Sequence, residues 1–543
     1  MQRRNFIKLS ATAMAVTLYS RLTYANANNE QLINNPDEAW ALTGGDWVRL
    51  TAANGSAFSG NGINVSLKNS KNGQAILVQA PSTELRGIRL VWKYQNQKYS
   101  KMLGDHWERS YGDLAWKTPE SNVKNPWYVM LYDGKQTAGF GVKTGCNTMC
   151  WWQVKPDNIE LTLDTHSGGE GVKLGDRTLH AADVVTTISK GNENAFATTT
   201  RFCKMMCEKP LLPKQPVYGI NDWYYAYGNN SQKSINEITK IMAEFAVSGN
   251  KPFSVIDDGW ELPDDFSKHN DKFEDMAKMA AEVKALGMRP GLWTRPLIAR
   301  LDTAKNRLAP SIDGRNDPKT PILDPSVPEN IEQIKHNISL YKQWGYEMVK
   351  HDYTTWDIFG KWGMQMTTDF TQPGWHFYDQ TKTNAEIILN MYGAIRQAAG
   401  SMYLIGCNTL SHLSAGVFEL NRIGDDTSGK EWARTKKMGV NTLGFRLTQN
   451  NTFYAADGDC VGITKDVPWD KNKQWLQLLA QSGSPLFVSA DPAVLGAEQK
   501  AAIKQAFAQA AKVQPTGEPL DWLTNQWPAK WKLDGQVTTF NWD

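Results

Sequence analysis

The sequence predicts a multidomain chain: an N-terminal antiparallel β-sandwich, then a (β/α)8 TIM barrel, then a short or incomplete C-terminal β segment. Three observations lead there. From about Glu38 to Cys203, alternating runs such as Ile63-Asn64-Val65-Ser66-Leu67, Ile88-Arg89-Leu90-Val91-Trp92 and Ile159-Glu160-Leu161-Thr162-Leu163 are separated by Gly, Asn and Thr. That is the pattern of half-buried strands joined by turns. Pro210-Leu211-Leu212-Pro213 then punctuates the chain as a linker. After Pro216, apolar runs of four to six residues alternate with helical patterns, which fits a closed parallel barrel better than an open doubly wound sheet.

The expected divisions are an export signal at 1–27, the β-sandwich at 28–212, the barrel at 213–512 and the C-terminal β segment at 513–543. Within the barrel the apolar runs predict strands at 217–221, 253–256, 288–293, 347–350, 402–406, 420–423, 442–447 and 485–489. Helical periodicity predicts helices at 234–247, 273–286, 330–344, 384–399, 473–482 and 497–511. No GxGxxG follows the first strand, which argues against a dinucleotide fold. The last strand-like run, Val537-Thr538-Thr539-Phe540, has no later partner in the sequence and is expected to dock on existing structure.

The first residues read as a targeting segment. Gln2-Arg3-Arg4-Asn5-Phe6-Ile7-Lys8 places paired arginines before a weakly apolar run, and Ala25-Asn26-Ala27 supplies the small residues of a cleavage site. This resembles a twin-arginine export signal; an ordinary secretory signal with a chance arginine pair is the alternative, and both place the protein in the periplasm or outside the cell. No other apolar run reaches the ~18 residues of a membrane span. A formal charge of +3 supplies no field for nucleic acid or a membrane surface. The six cysteines include no CxxC pair and the eight histidines are scattered, so neither a metal nor another cofactor is expected. If Cys146/Cys150 and Cys203/Cys207 lie on strands, each pair is ~13 Å apart and cannot close a disulfide. Cross-pairing between strands stays open. The 22 tryptophans offer flat apolar faces of the kind that stack on sugar rings.

Two acidic positions carry the chemistry. Asp352 ends Met348-Val349-Lys350-His351-Asp352, and Gly424-Asp425-Asp426-Thr427 follows another short run. Strand ends of a barrel converge on one mouth, and two carboxylates there are what glycosidic-bond cleavage requires. The second strand ends Asp257-Asp258-Gly259-Trp260 and the third carries Gly291-Leu292-Trp293, which adds acids and indoles to the same mouth.

In this order the motifs resemble those of the α-galactosidase clan of glycoside hydrolases, families 36 and 27, the melibiases. The resemblance runs from about Val217 to Ala511 and includes Gly483-Ser484-Pro485-Leu486-Phe487-Val488-Ser489. It implies a retaining exo-acting α-glycosidase that releases terminal α-galactosyl or closely related residues from a carbohydrate substrate and needs no metal. It implies Asp352 as nucleophile and Asp425 as general acid/base. Asp257 and Asp258 would bind non-reacting hydroxyls, Lys350 would bind sugar or orient Asp352, and Trp260 and Trp293 would shape the pocket wall. Cys407, Arg422 and Asp426 complete the implied substrate-binding set. Asn408-Thr409-Leu410 departs from the family's usual loop after the cysteine, and His351 from its usual aromatic. These departures leave open α-GalNAc, β-L-arabinopyranose or a modified galactose as substrate; sugar transfer in place of hydrolysis is a rival reading, and a non-catalytic carbohydrate-binding role is a further one that the presence of both acids disfavours.

Overall fold

The computed structural model describes residues 32–70, 73–367 and 370–543. The expected export signal lies outside the described residues. Among them, no helix is long and apolar enough to cross a membrane.

The N-terminal region forms two antiparallel sheets. One has six strands in the order Asp46–Arg49, Glu38–Thr43, Gly87–Lys93, Asn158–Asp164, Met149–Lys155 and Asn125–Pro126. The other has eight, in the order Thr51–Asn54, Ala57–Gly60, Ile63–Ser70, Gly73–Ala80, Gly175–Ile188, Thr137–Val142, Tyr128–Tyr132 and Lys101–Gly104. Alternation decides which face is buried: Ile88, Leu90 and Trp92, and Ile159, Leu161 and Leu163, all point inward. Phe140 of one sheet meets Trp152 of the other with ring centroids 6.1 Å apart.

The strand pattern does not run on to Cys203 as expected. Residues Ala195–Met206 form a helix, N-capped where Asn194 Oδ1 accepts from the Ala197 N–H at 2.9 Å. Its buried residues Phe196, Thr199, Phe202, Cys203 and Met206 recur at helical, not strand, spacing. The helix lies on strand Thr137–Val142, where a Cβ on Gly139 would come within 2.8 Å of the Phe202 ring, so only glycine permits this approach. The cysteine pairs are not spaced along strands either, and neither pair is bridged. Cys203 and Cys207 sit at this helix's end, and Cys146 precedes the strand that holds Cys150. All six cysteines are buried free thiols.

The second half of the chain builds a parallel sheet. Its strands are β1 (Tyr218–Asn221), β2 (Phe253–Ile256), β3 (Arg289–Thr294), β4 (Met348–His351), β5 (Tyr403–Gly406), β6 (Leu420–Arg422), β7 (Ala455–Asp457), β8 (Cys460–Ile463) and β9 (Leu486–Ala490). The spatial order is β7-β6-β5-β4-β3-β2-β1-β9-β8, and each neighbouring pair is parallel. The two edge strands, β7 and β8, are consecutive in the chain with only Gly458 and Asp459 between them. Val255, Met348, Ile405, Leu420, Ala455, Cys460 and Phe487, from seven of these strands, form a buried cluster separate from the main core.

The six expected helices are present as Gln232–Ala243, Met276–Ala285, Pro328–Trp344, Asn384–Ala399, Trp469–Gln481 and Ala497–Ala510. Their starts follow local chemistry: Ser231 and Thr383 close capping boxes, Asp275 caps Lys278, and Pro328 occupies a first-turn position. Pro328–Trp344 stops at Gly345, whose φ of 96° is a left-handed cap.

One expected strand is helix. Residues 442–446 form the helix Thr442–Arg446, which continues a π-helical stretch at Lys436–Asn441, and Leu447 begins a 3-10 turn. Residues 438–450 are all buried, Asn441, Thr442, Arg446 and Thr448 among them, so no exposed polar face marks a helical period there. The seventh place in the sheet is taken by β7 and β8. Their sequence is masked by Asp457-Gly458-Asp459, acids that meet the buried Arg422: Nη2 lies 2.8 Å from Asp459 and Nε 3.8 Å from Asp457.

The C-terminal residues form a three-stranded antiparallel sheet, Glu518–Pro519, Lys530–Leu533 and Gln536–Thr539. It is seated by indoles. Trp522 packs on Trp116 and Phe196 from the N-terminal region and on Phe445. The Trp432 indole N–H donates to the Trp542 carbonyl at 2.9 Å.

The N-terminal region is also joined to the parallel-sheet region by a buried ion pair, Arg446 Nε to Asp105 Oδ1 at 2.8 Å. Removing Asp105 leaves the guanidinium buried and unpaired, a loss of about 3–5 kcal/mol. A chain beginning at Pro216 is therefore expected to be insoluble, or to melt well below the full protein in a thermal scan. A chain without the N-terminal region that melts with the full protein would show that this region is an independent appendage.

Candidate active site

The end of β4 places Asp352 half-buried beside β3. Its N–H donates to the Thr294 carbonyl at 3.0 Å. Both carboxylate oxygens are held: Oδ2 accepts the Trp293 indole N–H at 3.1 Å and Oδ1 accepts the Tyr353 backbone N–H at 2.8 Å. Tyr353 has φ 68°, an uncommon conformation for an aromatic residue, and it folds the backbone N–H back onto the carboxylate. Two donors fix the orientation of the group. His351 points the other way, as alternation requires. It is fully buried against Tyr392 and Phe418, and burial lowers its pKa to about 3.

Lys350, two residues before Asp352, reaches Asp257 and not the expected nucleophile: Nζ lies 2.6 Å from Asp257 Oδ2. Asn221 of β1 donates to the same oxygen at 2.5 Å, and the Asp257 N–H donates to Asp222 Oδ1 at 2.7 Å. Burial and the neighbouring Asp257 raise the Asp222 carboxyl to about 7. Asp258 is less buried and lies within the field of Asp352. Burial, and the charges of Asp257 and Asp352, raise its pKa, while a hydrogen bond with Glu261 opposes the rise. Glu261 in turn is raised to about 8 by burial and by that partner. Asp258 and Glu261 are thus hydrogen-bonded to each other within the field of Asp352.

The two implied wall tryptophans differ in placement. Trp293 contributes its indole N–H to Asp352. Trp260 is fully buried among Phe266, Tyr341 and Trp344 and donates its N–H to the Trp293 carbonyl at 3.0 Å. It supports Trp293 from behind and forms no part of a wall.

At the ends of β5 and β6, Cys407 lies between cations. Arg422 and Arg109 point Nη1 at its sulfur from 3.5 and 3.6 Å. Burial and the charge of Asp352 keep this thiol protonated against them. Asp425 is clamped on both oxygens, Oδ1 by Arg109 Nη2 at 2.8 Å and Oδ2 by Arg434 Nη2 at 2.9 Å, with a side chain 11% exposed. Asp426 is 36% exposed, and only Oδ1 is engaged, by Arg422 at 3.2 Å and Arg109 at 3.3 Å. Burial opposes its ionisation, but these guanidiniums outweigh it and hold the carboxyl at about 2.

Arg109 was not foreseen from sequence. It comes from the N-terminal region, where Ser110 pairs with the end of β6: its N–H donates to the Ile423 carbonyl and its carbonyl accepts the Asp425 N–H, both at 2.8 Å. Glu108 beside it is fully buried and accepts from Thr355 Oγ1 at 2.6 Å, the Gly363 N–H at 2.8 Å, Tyr111 Oη and Asn408 Nδ2. Burial raises it to about 7. Asn408, in the departing loop, is fully buried with its amide taken up by Glu108 and Thr355. The only sequence signal for this node was the crowding of charged and aromatic residues in Asp105-His106-Trp107-Glu108-Arg109-Ser110-Tyr111. Among the described residues no group of three or more His, Cys, Asp or Glu is placed to hold a metal ion.

No family sequence model and no curated protein sequence matches the chain. Solved structures match it by fold. TtGalA, an α-galactosidase from Thermus thermophilus in complex with p-nitrophenyl α-D-galactopyranoside, superposes with a TM-score of 0.61 at 16% identity, over 88% of this chain and 96% of that one. A variant of the family 36 α-galactosidase AgaA from Geobacillus stearothermophilus, in complex with raffinose, gives 0.62 at 13% identity, over 93% and 80%. The galactosidase domain of the α-galactosidase–sucrose kinase AgaSK gives 0.58 at 15% identity, over 84% and 67%. A β-rich N-terminal region of antiparallel sheets followed by a parallel sheet is the architecture of glycoside hydrolase family 36, and this chain has that fold.

Proposed function

We propose that the protein is a retaining exo-acting glycoside hydrolase that removes a terminal α-galactosyl, or closely related, residue from oligo- or polysaccharides. The observation that carries this is the placing of Asp352 and the Asp425-Asp426 pair at the ends of β4 and β6, on either side of Cys407. A carboxylate held by two N–H donors and an acid across from it suit double displacement. The parallel sheet is read as a (β/α)8 barrel in which β7 and β8 are one interrupted strand, and the antiparallel sheets as a β-sandwich.

Asp352 attacks the anomeric carbon. The general acid/base is placed on Asp426, with Asp425 as its support, because Asp426 alone of the two has an oxygen free of cations. Asp257, Lys350 and the hydrogen-bonded Asp258–Glu261 pair offer donors and acceptors to ring hydroxyls. An export signal at 1–27 fits action on glycans outside the cytoplasm. A panel of aryl α-galactoside, α-N-acetylgalactosaminide, β-L-arabinopyranoside and α-glucoside tests the sugar. Turnover of the α-galactoside well above the rest is expected; turnover of none would remove the hydrolytic reading.

A further inference from the structure

Arg434, one of the two cations on Asp425, stands on a slight support. It is half-exposed on a helix of four residues, Trp432–Thr435, whose start has no side-chain cap. Its one ion pair among the described residues is with Asp425 Oδ2, at 2.9 Å. A long, half-exposed side chain gains little from a single ion pair unless its backbone is already fixed, because ordering it costs about what the pair returns. The inner edge of this segment is fixed: Thr435 Oγ1 accepts the Ser428 N–H at 3.1 Å and donates to the Ser428 carbonyl at 3.2 Å.

The outer edge is held by residues 540–543. Two positions before Arg434, the Trp432 indole N–H donates to the Trp542 carbonyl at 2.9 Å, and the two rings lie 6.2 Å apart. Two positions after it, Lys436 pairs with Asp543. Asp543 is 92% exposed, so that pair adds little; Trp542 is buried and firmly seated. Its indole N–H donates to the Pro528 carbonyl at 2.8 Å, and its ring stacks on Phe540 with centroids 5.0 Å apart. The neighbouring Asn541 exchanges two hydrogen bonds with Gln474 of the helix Trp469–Gln481, at 2.7 and 3.1 Å.

We propose that Trp542 is a positioning residue for the candidate acid pair: its segment is a strap that holds the Arg434 helix against Asp425. This rests on the acid/base role proposed above for Asp425-Asp426 and assigns that site a further support. Arg109 is shared between the two acids, Nη2 on Asp425 at 2.8 Å and Nη1 on Asp426 at 3.3 Å. With Arg434 in place, Asp425 is held on both oxygens and Arg109 keeps its grip on both acids. With Arg434 loose, Asp425 has a single contact to turn on, and the pair loses its fixed orientation. Trp542 touches no reacting atom and acts only through Arg434.

The test is a double-mutant cycle on the full-length protein with an α-galactosyl disaccharide. Trp542→Ala and Arg434→Met are each expected to lower kcat about five- to tenfold, with KM changed less than about twofold. The double variant should be no slower than the slower single one. Trp542→Phe, which keeps a ring beside Trp432 and the same carbonyl, should retain at least about half of the kcat. Losses that multiply in the double variant, or a kcat that Trp542→Ala leaves intact, overturn the proposal. If Trp542→Ala does not fold, Trp432→Phe, which removes only the donor to the Trp542 carbonyl, replaces it in the cycle with the same expected non-additivity. If no α-glycoside is cleaved, amide hydrogen exchange decides separately. Exchange about tenfold faster in Trp432→Phe, confined to residues 429–441, upholds the strap; unchanged exchange there overturns it.

Discussion

Asp352→Gly is expected to lower kcat/KM by about four orders of magnitude or more on aryl galactosides and oligosaccharides alike, because no later group replaces a missing nucleophile. Asp352 is half-buried and its partners are N–H donors that water reaches once the side chain is gone, so the protein should still fold; near-native thermal melting checks this. Azide entering the vacated space should restore turnover of an activated aryl glycoside and give the glycosyl azide of inverted configuration. A loss below tenfold, or a rescued azide of retained configuration, would place the nucleophile elsewhere.

The next largest effect separates Asp426 from Asp425. Asp426→Ala should cost about 10²–10⁴ on a disaccharide, whose leaving group needs a proton, and much less on an activated aryl glycoside. Azide should then give the retained anomer. Asp425→Ala should lower both substrates equally, because it releases Arg109 and Arg434 and removes no proton donor. The acid form of Asp426 is scarce at neutral pH in the free protein, since its cations hold it at about 2. In wild type, kcat/KM on the disaccharide should therefore climb as pH falls from 7 toward 5, while the aryl glycoside profile stays flatter. The opposite pattern, with leaving-group dependence and retained azide product from Asp425→Ala alone, would return the role to Asp425.

The sequence made much of this site visible, and the limits of that visibility are physical. Asp257-Asp258, Lys350 and Asp352 stand at the ends of apolar runs because strands covered on both faces leave polar groups only at their ends. Helix Asn384–Ala399 was legible from its helical period, and in the structure Thr383 and Glu386 close its first turn. The missed strands β7 and β8 flank Asp457-Gly458-Asp459, whose acids are tolerated there because Arg422 lies against them. The helix at Thr442–Arg446 took its place because total burial removes the polar face that reveals a helical period. Arg109 is the clearest case. Its partner Asp425 lies in another part of the chain, the pairing depends on how the N-terminal region docks, and no local pattern encodes that. The same docking explains why Asn408, conspicuous as a departure, contacts Glu108 and is closed off from solvent.

The central claim, double displacement through Asp352, is tested most directly by proton NMR of an aryl α-galactoside during the first minutes of turnover, before the released sugar mutarotates. Retention should give the α-anomer of galactose first, with the β-anomer growing in later. A β-anomer appearing first would mean direct attack by water and would contradict the assignment of Asp352 as nucleophile.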